Sequence, residues 1–213
     1  ASVENIQLGM YGSKRFNNRW SANGTVSASY LSYETERGTG SGRAQGDADG
    51  FGLHGSAEVL YDIALNEKAT WSPFGGIEVS YIDREGYTES GAGALNLTVQ
   101  SARNEFLASV MGVQIAGDFS TDGGMRVMGA ARVGWAHQFL DDSATTSSAF
   151  SSSPSVVFES NSPERDRDSL RLGLEVEVGG NRDRNWSLFA RYTGDITANA
   201  VEHIVRAGVT WSF

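Results

Sequence analysis

From Trp20 to Tyr30 the chain alternates without a break. Trp20, Ala22, Gly24, Val26, Ala28 and Tyr30 fall on one parity, and Ser21, Asn23, Thr25, Ser27 and Ser29 on the other. A period of two puts successive side chains on opposite faces of a sheet, so this segment predicts an amphipathic strand. The pattern recurs over 51–63, 71–82, 126–139, 170–178 and 186–194. It returns at the end of the chain, where Val205, Ala207, Val209, Trp211 and Phe213 share one face. The stretches 5–16 and 103–118 are strand-like with a less regular phase. Each segment is close to the roughly 9–11 residues a tilted strand needs to cross the hydrocarbon of a membrane.

The connections fall into two classes. Asn17-Asn18, 65–70, 119–124 and 179–185 are short and rich in Asn, Asp and Gly, which favour tight turns. Between them lie longer stretches at 35–50, 84–102 and 141–168, and a shorter one at 195–200. Short and long alternate strictly, as in an up-and-down membrane barrel with tight periplasmic turns and long external loops. A soluble sandwich has no reason to sort its loops this way. Aromatic residues follow the same polarity. Phe16, Trp20, Trp71, Trp186, Trp211 and Phe213 mark the short-turn ends; Tyr30, Tyr33, Phe51, Tyr81, Phe139 and Tyr192 mark the other ends. Two aromatic girdles at two interfaces suit amphipathic rings.

Composition fits this picture. Only 39% of the 213 residues are hydrophobic, and no run of about 18 apolar residues offers a transmembrane helix. A barrel needs apolar residues only at alternate positions. A formal charge of −9 argues against nucleic acid as a partner. With no cysteine, disulfides and thiolate metal sites are excluded. No charged n-region and apolar core open the chain at Ala1.

The fold class expected is all-β: an antiparallel up-and-down transmembrane β-barrel with about nine strands visible. Counted back from Phe213 on the short-turn side, the strand at 5–16 begins on the external side. Bacterial single-chain barrels have even strand numbers. The expectation is therefore a domain spanning 1–213 that lacks an odd number of N-terminal strands, or a first strand misassigned.

The strands, loops and terminus together resemble the C-terminal translocator domain of autotransporters, the type V secretion family. The resemblance covers essentially the whole chain. It is strongest in Pro73-Phe74-Gly75-Gly76-Ile77-Glu78-Val79-Ser80-Tyr81 and in Gly86-Tyr87-Thr88-Glu89-Ser90-Gly91-Ala92-Gly93-Ala94-Leu95. Ala131-Arg132-Val133-Gly134-Trp135-Ala136-His137-Gln138-Phe139, Asp168-Ser169-Leu170-Arg171-Leu172-Gly173-Leu174 and the terminal strand also match its pattern. Ile6-Gln7-Leu8-Gly9-Met10-Tyr11-Gly12 resembles an internal strand of such a domain, not its start. The resemblance implies a 12-stranded barrel with a helix in its pore, of which the first three strands, the helix and the passenger are absent here. It implies localisation in the bacterial outer membrane and export of an upstream passenger to the cell surface. The partners it implies are outer-membrane lipid and lipopolysaccharide, the barrel-assembly machinery, and the protein's own passenger and linker helix. It implies a monomer and no cofactor.

The terminal residues Val205, Ala207, Val209, Trp211 and Phe213 resemble the signal by which such barrels are recognised for insertion. The charges Glu58, Glu78, Arg126, Arg132, Arg171, Glu175, Glu177, Arg191, Glu202 and Arg206 are expected to face the lumen. They would either line a pore or form an ion-pair network that stiffens it; the pattern fits both.

Catalytic and metal-binding readings carry less. His54, Ser56 and Glu58 share one strand face, without identifiable oxyanion donors. His137 is expected on the lipid face near a loop, and His203 near the external end of the last strand. Gly46-Asp47-Ala48-Asp49-Gly50 has part of a calcium-loop pattern but no later ligands, and reads as a flexible acidic turn. The Ser-rich stretch 143–155 reads as a solvated external loop. The expectation is thus a non-enzymatic translocator. A stand-alone porin or adhesin barrel is the alternative, with an outer-membrane hydrolase third. Deleting Phe213 should reduce insertion, measured as the heat-modifiable fraction in outer membranes, with synthesis unchanged; full insertion would refute the signal.

Overall fold

The computed structural model describes residues 1–120, 125–140, 145–162, 166–179 and 186–211. Its strands are β1 (Ser2–Arg15), β2 (Trp20–Thr39), β3 (Gly42–Tyr61), β4 (Ile63–Ala64), β5 (Ala69–Arg84), β6 (Tyr87–Thr88), β7 (Leu97–Val99), β8 (Ala102–Asp118), β9 (Arg126–Gln138), β10 (Thr145–Phe150), β11 (Val157–Asn161), β12 (Asp168–Gly179), β13 (Trp186–Ile196) and β14 (Val201–Trp211). One 3₁₀ turn, Gly93–Leu95, lies between β6 and β7.

Nine of these strands form one antiparallel wall in the order β1-β2-β3-β5-β8-β9-β12-β13-β14, with β4 a short addition beside β5. Every neighbour in the wall is also the next long strand in the chain, so the topology is up-and-down. β1 pairs with β2 along its whole length, from Ser2 opposite Glu34 to Arg15 opposite Ser21, and the first strand is therefore a true one. Among the described residues the free edges of β1 and β14 have no partner.

The wall is inside out compared with a soluble protein. Its convex face carries Ile6, Leu8, Met10, Val26, Leu53, Val79, Val133, Leu174, Leu188 and Val209, all exposed. Ile6 and Leu8 keep 76% and 82% of their surface, far beyond what water tolerates in a contiguous patch. The small buried apolar cluster, Leu60, Phe74, Val110 and Ala136, lies on the concave face instead. Trp20, Trp135 and Trp211 share the convex face with the aliphatic residues near the strand ends, and Tyr30 and Phe51 share it opposite each other midway along β2 and β3. Tyr33 departs from the expected girdle: its parity places it on the concave side with Leu31.

Three expected loops contain ordered β-structure. The stretch 35–50 is the continuation of β2 and β3, paired out to Thr39 opposite Gly42 and closed by Gly40-Ser41. Gly42, at φ 140°, occupies the left-handed side of backbone space that the turn requires. The acidic run Gly46–Gly50 is accordingly mid-strand and not a flexible turn. The stretches 84–102 and 141–168 contribute a second sheet in the order β11-β10-β7-β6. Ser148 and Ala149, from the Ser-rich segment, are buried in it. Thr and Ser satisfy both faces of a short strand without an apolar stripe, so the sequence carries no strand period there.

Phe74 shows how the concave face is packed. A Cβ built on Gly112 would meet the Val133 carbonyl and the Gly134 Cα as well as Phe74 Cζ, and one on Gly134 would sit 3.1 Å from Phe74 Cζ. The tip of the ring thus rests over two glycines on β8 and β9. Gly134→Val should displace Phe74 and lower the heat-modifiable, folded fraction, because overpacking costs about 1–3 kcal/mol. Gly12→Val, where nothing lies within 4 Å of the added Cβ, should leave that fraction unchanged. An equal loss in both would refute this packing role.

Candidate functional site: the charged concave face and its external mouth

Alternation puts β3, β5, β8 and β9 residues of even number, and β12 and β13 residues of odd number, on the concave face. Two ion pairs there join strands that are not neighbours. Arg132 on β9 donates to Glu58 on β3 from both terminal guanidinium nitrogens, Nη1 lying 3.0 Å from Oε1 and Nη2 meeting Oε2. Arg171 on β12 donates from Nη1 to Glu78 on β5 at 2.6 Å and from Nε to Asp195 on β13 at 3.2 Å. In each pair the partners stand three strand spacings apart, about 14 Å along a flat sheet. Two side chains span that distance because the wall curls and the charges cross its hollow. Arg191 and Glu175 are direct cross-strand partners, at 2.8 Å and 3.1 Å.

Planar guanidinium groups suit this task because each presents several donors in a fixed fork. Arg132 also rests on the Phe74 ring, 3.5 Å from its centroid. The aromatic ring gives its charge a favourable face while Glu58 neutralises it. These groups line a cavity of about 690 Å³ together with Gln114, Thr193 and Glu202. Asp195 Oδ1 is buried there and accepts no hydrogen bond from the described residues.

Of the charges expected in the lumen, Glu58, Glu78, Arg132, Arg171, Glu175 and Arg191 are joined in these pairs. Arg126, Glu177, Glu202 and Arg206 occupy the same concave parity, Glu202 opposite Asp195 and Arg206 opposite Arg191. Phe74 and Asp195 belong to the site but not to the sequence expectation. Phe74 was hidden because its partners are two glycines on other strands; Asp195 was hidden because it was assigned to a loop. Val205, Ala207, Val209 and Trp211 lie on the convex parity of β14, with Val205, Val209 and Trp211 strongly exposed. Phe213 lies outside the described residues, as does Asp142 in the third long connection.

The histidines form no catalytic set. Ser56 exchanges a hydroxyl hydrogen bond with Thr25 at 2.6 Å, and Glu58 is held by Arg132, so His54, Ser56 and Glu58 make no relay. His137 lies on the convex face, where Asp168 meets its Nδ1 at 2.8 Å and accepts from Trp135 Nε1 at 2.9 Å. His203 Nδ1 meets the Tyr192 hydroxyl at 2.8 Å. Among the described residues no group of three or more potential ligands could hold a metal ion.

The external mouth is built on a stripe of small residues. Ala44, Gly46, Ala48, Gly50 and Gly52 share the concave parity of β3, and all are buried. Tyr87 lies over Gly46, and Arg37 reaches past it to Glu89, Nη2 to Oε2 at 2.6 Å. Arg37 also donates to the Leu95 carbonyl at 2.9 Å, and Leu97 N–H to Glu89 Oε2 at 2.8 Å. The main chain is continuous too: Gln45 and Ser90 exchange both backbone hydrogen bonds, and Glu85 N–H donates to Asp49. Burial pushes the Glu89 carboxyl up, but the bonds from Arg37 and Leu97 outweigh it and hold it below the usual range.

A depressed carboxylate contributes stability above its unfolded pKa, about 4.3, and loses it as pH falls through its lower folded value. Proteolysis between Gly86 and Val99 should therefore be constant at higher pH and rise as pH falls from about 4.3 toward the lower folded value. Glu89→Gln should show raised cleavage at neutral pH, with no further acid response in that window. A wild-type profile that is flat down to pH 2 (about two units below that reference) would refute this clasp.

Known proteins share this construction. The family model for the autotransporter beta-domain matches residues 1–193. An extracellular serine protease of Serratia marcescens is 29% identical over 99% of this chain, which spans 20% of that protein. Esterase EstA of Pseudomonas aeruginosa is 25% identical over 76% of this chain, covering 26% of its own length. The chain thus spans about a fifth to a quarter of the curated relatives it matches. Among solved structures, the translocator domain of NalP from Neisseria meningitidis superposes with a TM-score of 0.72 at 16% identity, covering 99% of this chain and 67% of that one. The beta domain of the Bordetella autotransporter BrkA superposes at 0.62 with 18% identity, covering 99% and 74%. With a curled up-and-down wall, an apolar convex face and a charged hollow already established, the match along residues 1–193 makes this chain a member of the autotransporter β-domain family.

Proposed function

We propose that this chain is the outer-membrane translocator of a longer polypeptide and carries an upstream passenger to the cell surface through its hydrophilic hollow. The observation that carries this reading is the division of labour between faces. The convex face offers lipid a continuous apolar surface, while the concave face offers a traversing chain water, Ser and Thr hydroxyls and paired charges. An extended or helical segment can slide past paired charges because none presents a strong unbalanced field. The free edges of β1 and β14 support a wall completed by further strands of the same polypeptide, since unpaired backbone groups in hydrocarbon cost several kcal/mol each.

In this reading Glu58, Glu78, Arg132, Arg171, Glu175 and Arg191 set the charge pattern that the linker helix and passenger meet. Val205, Ala207, Val209, Trp211 and Phe213 present the terminal strand to the barrel-assembly machinery. The convex girdle contacts outer-membrane lipid and lipopolysaccharide. The β-domain itself performs no catalysis; an enzymatic activity, where the complete protein has one, resides in the passenger.

The test uses the full-length precursor. Arg132→Glu places a carboxylate against Glu58 and should lower surface-exposed passenger several-fold while a heat-modifiable barrel still forms. Arg43→Glu, in an exposed external pair with 74% side-chain exposure at Arg43, should leave export unchanged. Equal export by both variants would refute the role of the charged hollow, and passenger absent from the surface of wild-type cells would refute export.

A further inference from the structure

The convex face of β1, β2 and β3 differs in charge between its two ends. At the short-turn end Trp20 and Tyr61 are register partners, with ring centroids 4.8 Å apart. Phe16 follows β1, and its N–H donates to the Trp20 carbonyl at 2.9 Å. Two cations flank these rings. Lys14 has the convex parity of β1, opposite Ala22, and its Nζ turns toward the Phe16 ring, 5.5 Å from the centroid. Arg19 donates from Nη1 to the Tyr61 hydroxyl at 2.9 Å. The turn that delivers Arg19 is itself fixed, since Asn17 Oδ1 accepts from the Arg19 and Trp20 N–H groups at 2.8 Å and 2.9 Å.

Among the described residues neither Lys14 nor Arg19 meets a carboxylate. The acid of this corner, Asp62, is engaged by Arg15, from the concave parity of β1, at 3.1 Å and by the buried Ser72 hydroxyl at 2.7 Å. At the opposite end the sign reverses. Glu4, Glu34, Asp47 and Asp49 occupy the convex parity beyond Tyr30 and Phe51 on the same three strands. Long basic side chains beside aromatic rings hold a charge at the membrane surface while their stems stay in the apolar layer. Each Lys or Arg near that surface adds attraction for anionic lipid. A zwitterionic headgroup would bring its own ammonium beside Lys14 and Arg19, and so gains less. The charge pattern therefore selects an anionic headgroup at the short-turn end and rejects one at the other.

We propose that Lys14 and Arg19 bind an anionic phospholipid in the leaflet at the short-turn end. The two cations hold its phosphate, and Tyr61 is a positioning residue that aims the Arg19 guanidinium. The acyl chains lie along the apolar convex face, over Met10 and Val26. This inference rests on the outer-membrane reading and adds a lipid class and a side of the membrane to it.

The test offers the full-length protein, in detergent, equal amounts of phosphatidylglycerol and phosphatidylethanolamine, and native mass spectrometry reads which lipid stays bound. Wild type should retain phosphatidylglycerol in preference. Lys14→Gln and Arg19→Gln should each lower that preference roughly fivefold, with the heat-modifiable fraction unchanged. Tyr61→Phe removes a single oxygen and supplies the test where a charge variant does not fold. It should lower phosphatidylglycerol retention and leave that of phosphatidylethanolamine as it was. Arg43→Gln, on the external hairpin, should change neither. Glycerol phosphate, the headgroup chemistry without acyl chains, should not displace the lipid at equal concentration. Equal retention of the two lipids by wild type, undiminished preference in the Lys14, Arg19 and Tyr61 variants, or displacement by glycerol phosphate would overturn the site while leaving the barrel in its membrane. Absence of the wild-type heat-modifiable form from outer membranes would overturn the outer-membrane reading itself.

Discussion

Every main-chain N–H and C=O that enters hydrocarbon must find a partner there, because no water is available to substitute. In this protein that demand is met between strands, from Ser2 opposite Glu34 at one side of the wall to Trp186 opposite Trp211 at the other. Once backbone pairing is fixed, alternation of the side chains follows, and each strand must present one face to lipid and one to the hollow. The inversion of the usual burial pattern is a consequence of this ladder. Ile6, Leu8 and Val205 are exposed because their solvent is lipid, while Phe74 and Val110 are buried because the polar hollow would otherwise wet them.

The hollow then has its own constraint. Charges in a confined space are costly alone, and their attraction offsets desolvation only with good geometry. Arg132 meets that condition through a two-pronged grip on Glu58 and an aromatic face beneath it. The ring is held there because Gly112 and Gly134 leave room for its tip. Packing at two glycines thus positions a guanidinium, which in turn ties β9 to β3 across the hollow. Arg171 ties β12 to β5 and β13 in the same way, so the ion pairs brace the curl of the wall as well as setting its field.

Where lipid requires alternation, the sequence was readable. Nine wall strands follow from a period of two and from the order of short and long connections. Outside the membrane that requirement lapses, and so did the reading. Arg43 to Gly50 alternates as strictly as any other strand, but between Ala or Gly and polar residues. Without large apolar side chains the period looks like a loop. Thr145 to Ser148 shows no alternation at all, since Thr and Ser serve either face of a short strand. Cross-hollow partners were invisible for another reason: alternation assigns a face but carries no information on which strands curl toward each other. Glu78 with Arg171, and Phe74 with Arg132, needed that curvature.

The small residues that hid the external hairpin are also what makes its architecture possible. Ala44, Gly46 and Ala48 leave a shallow track on the concave face of β3, into which Tyr87 and the Arg37–Glu89 pair settle. Larger side chains would hold the 85–99 segment away from the hairpin, and the backbone exchange between Gln45 and Ser90 would be lost. With that exchange in place, the wall continues upward from the membrane as β-structure, without a flexible collar in between. The hydrogen-bond ladder that lipid enforces below is therefore extended into water by choice of side chains.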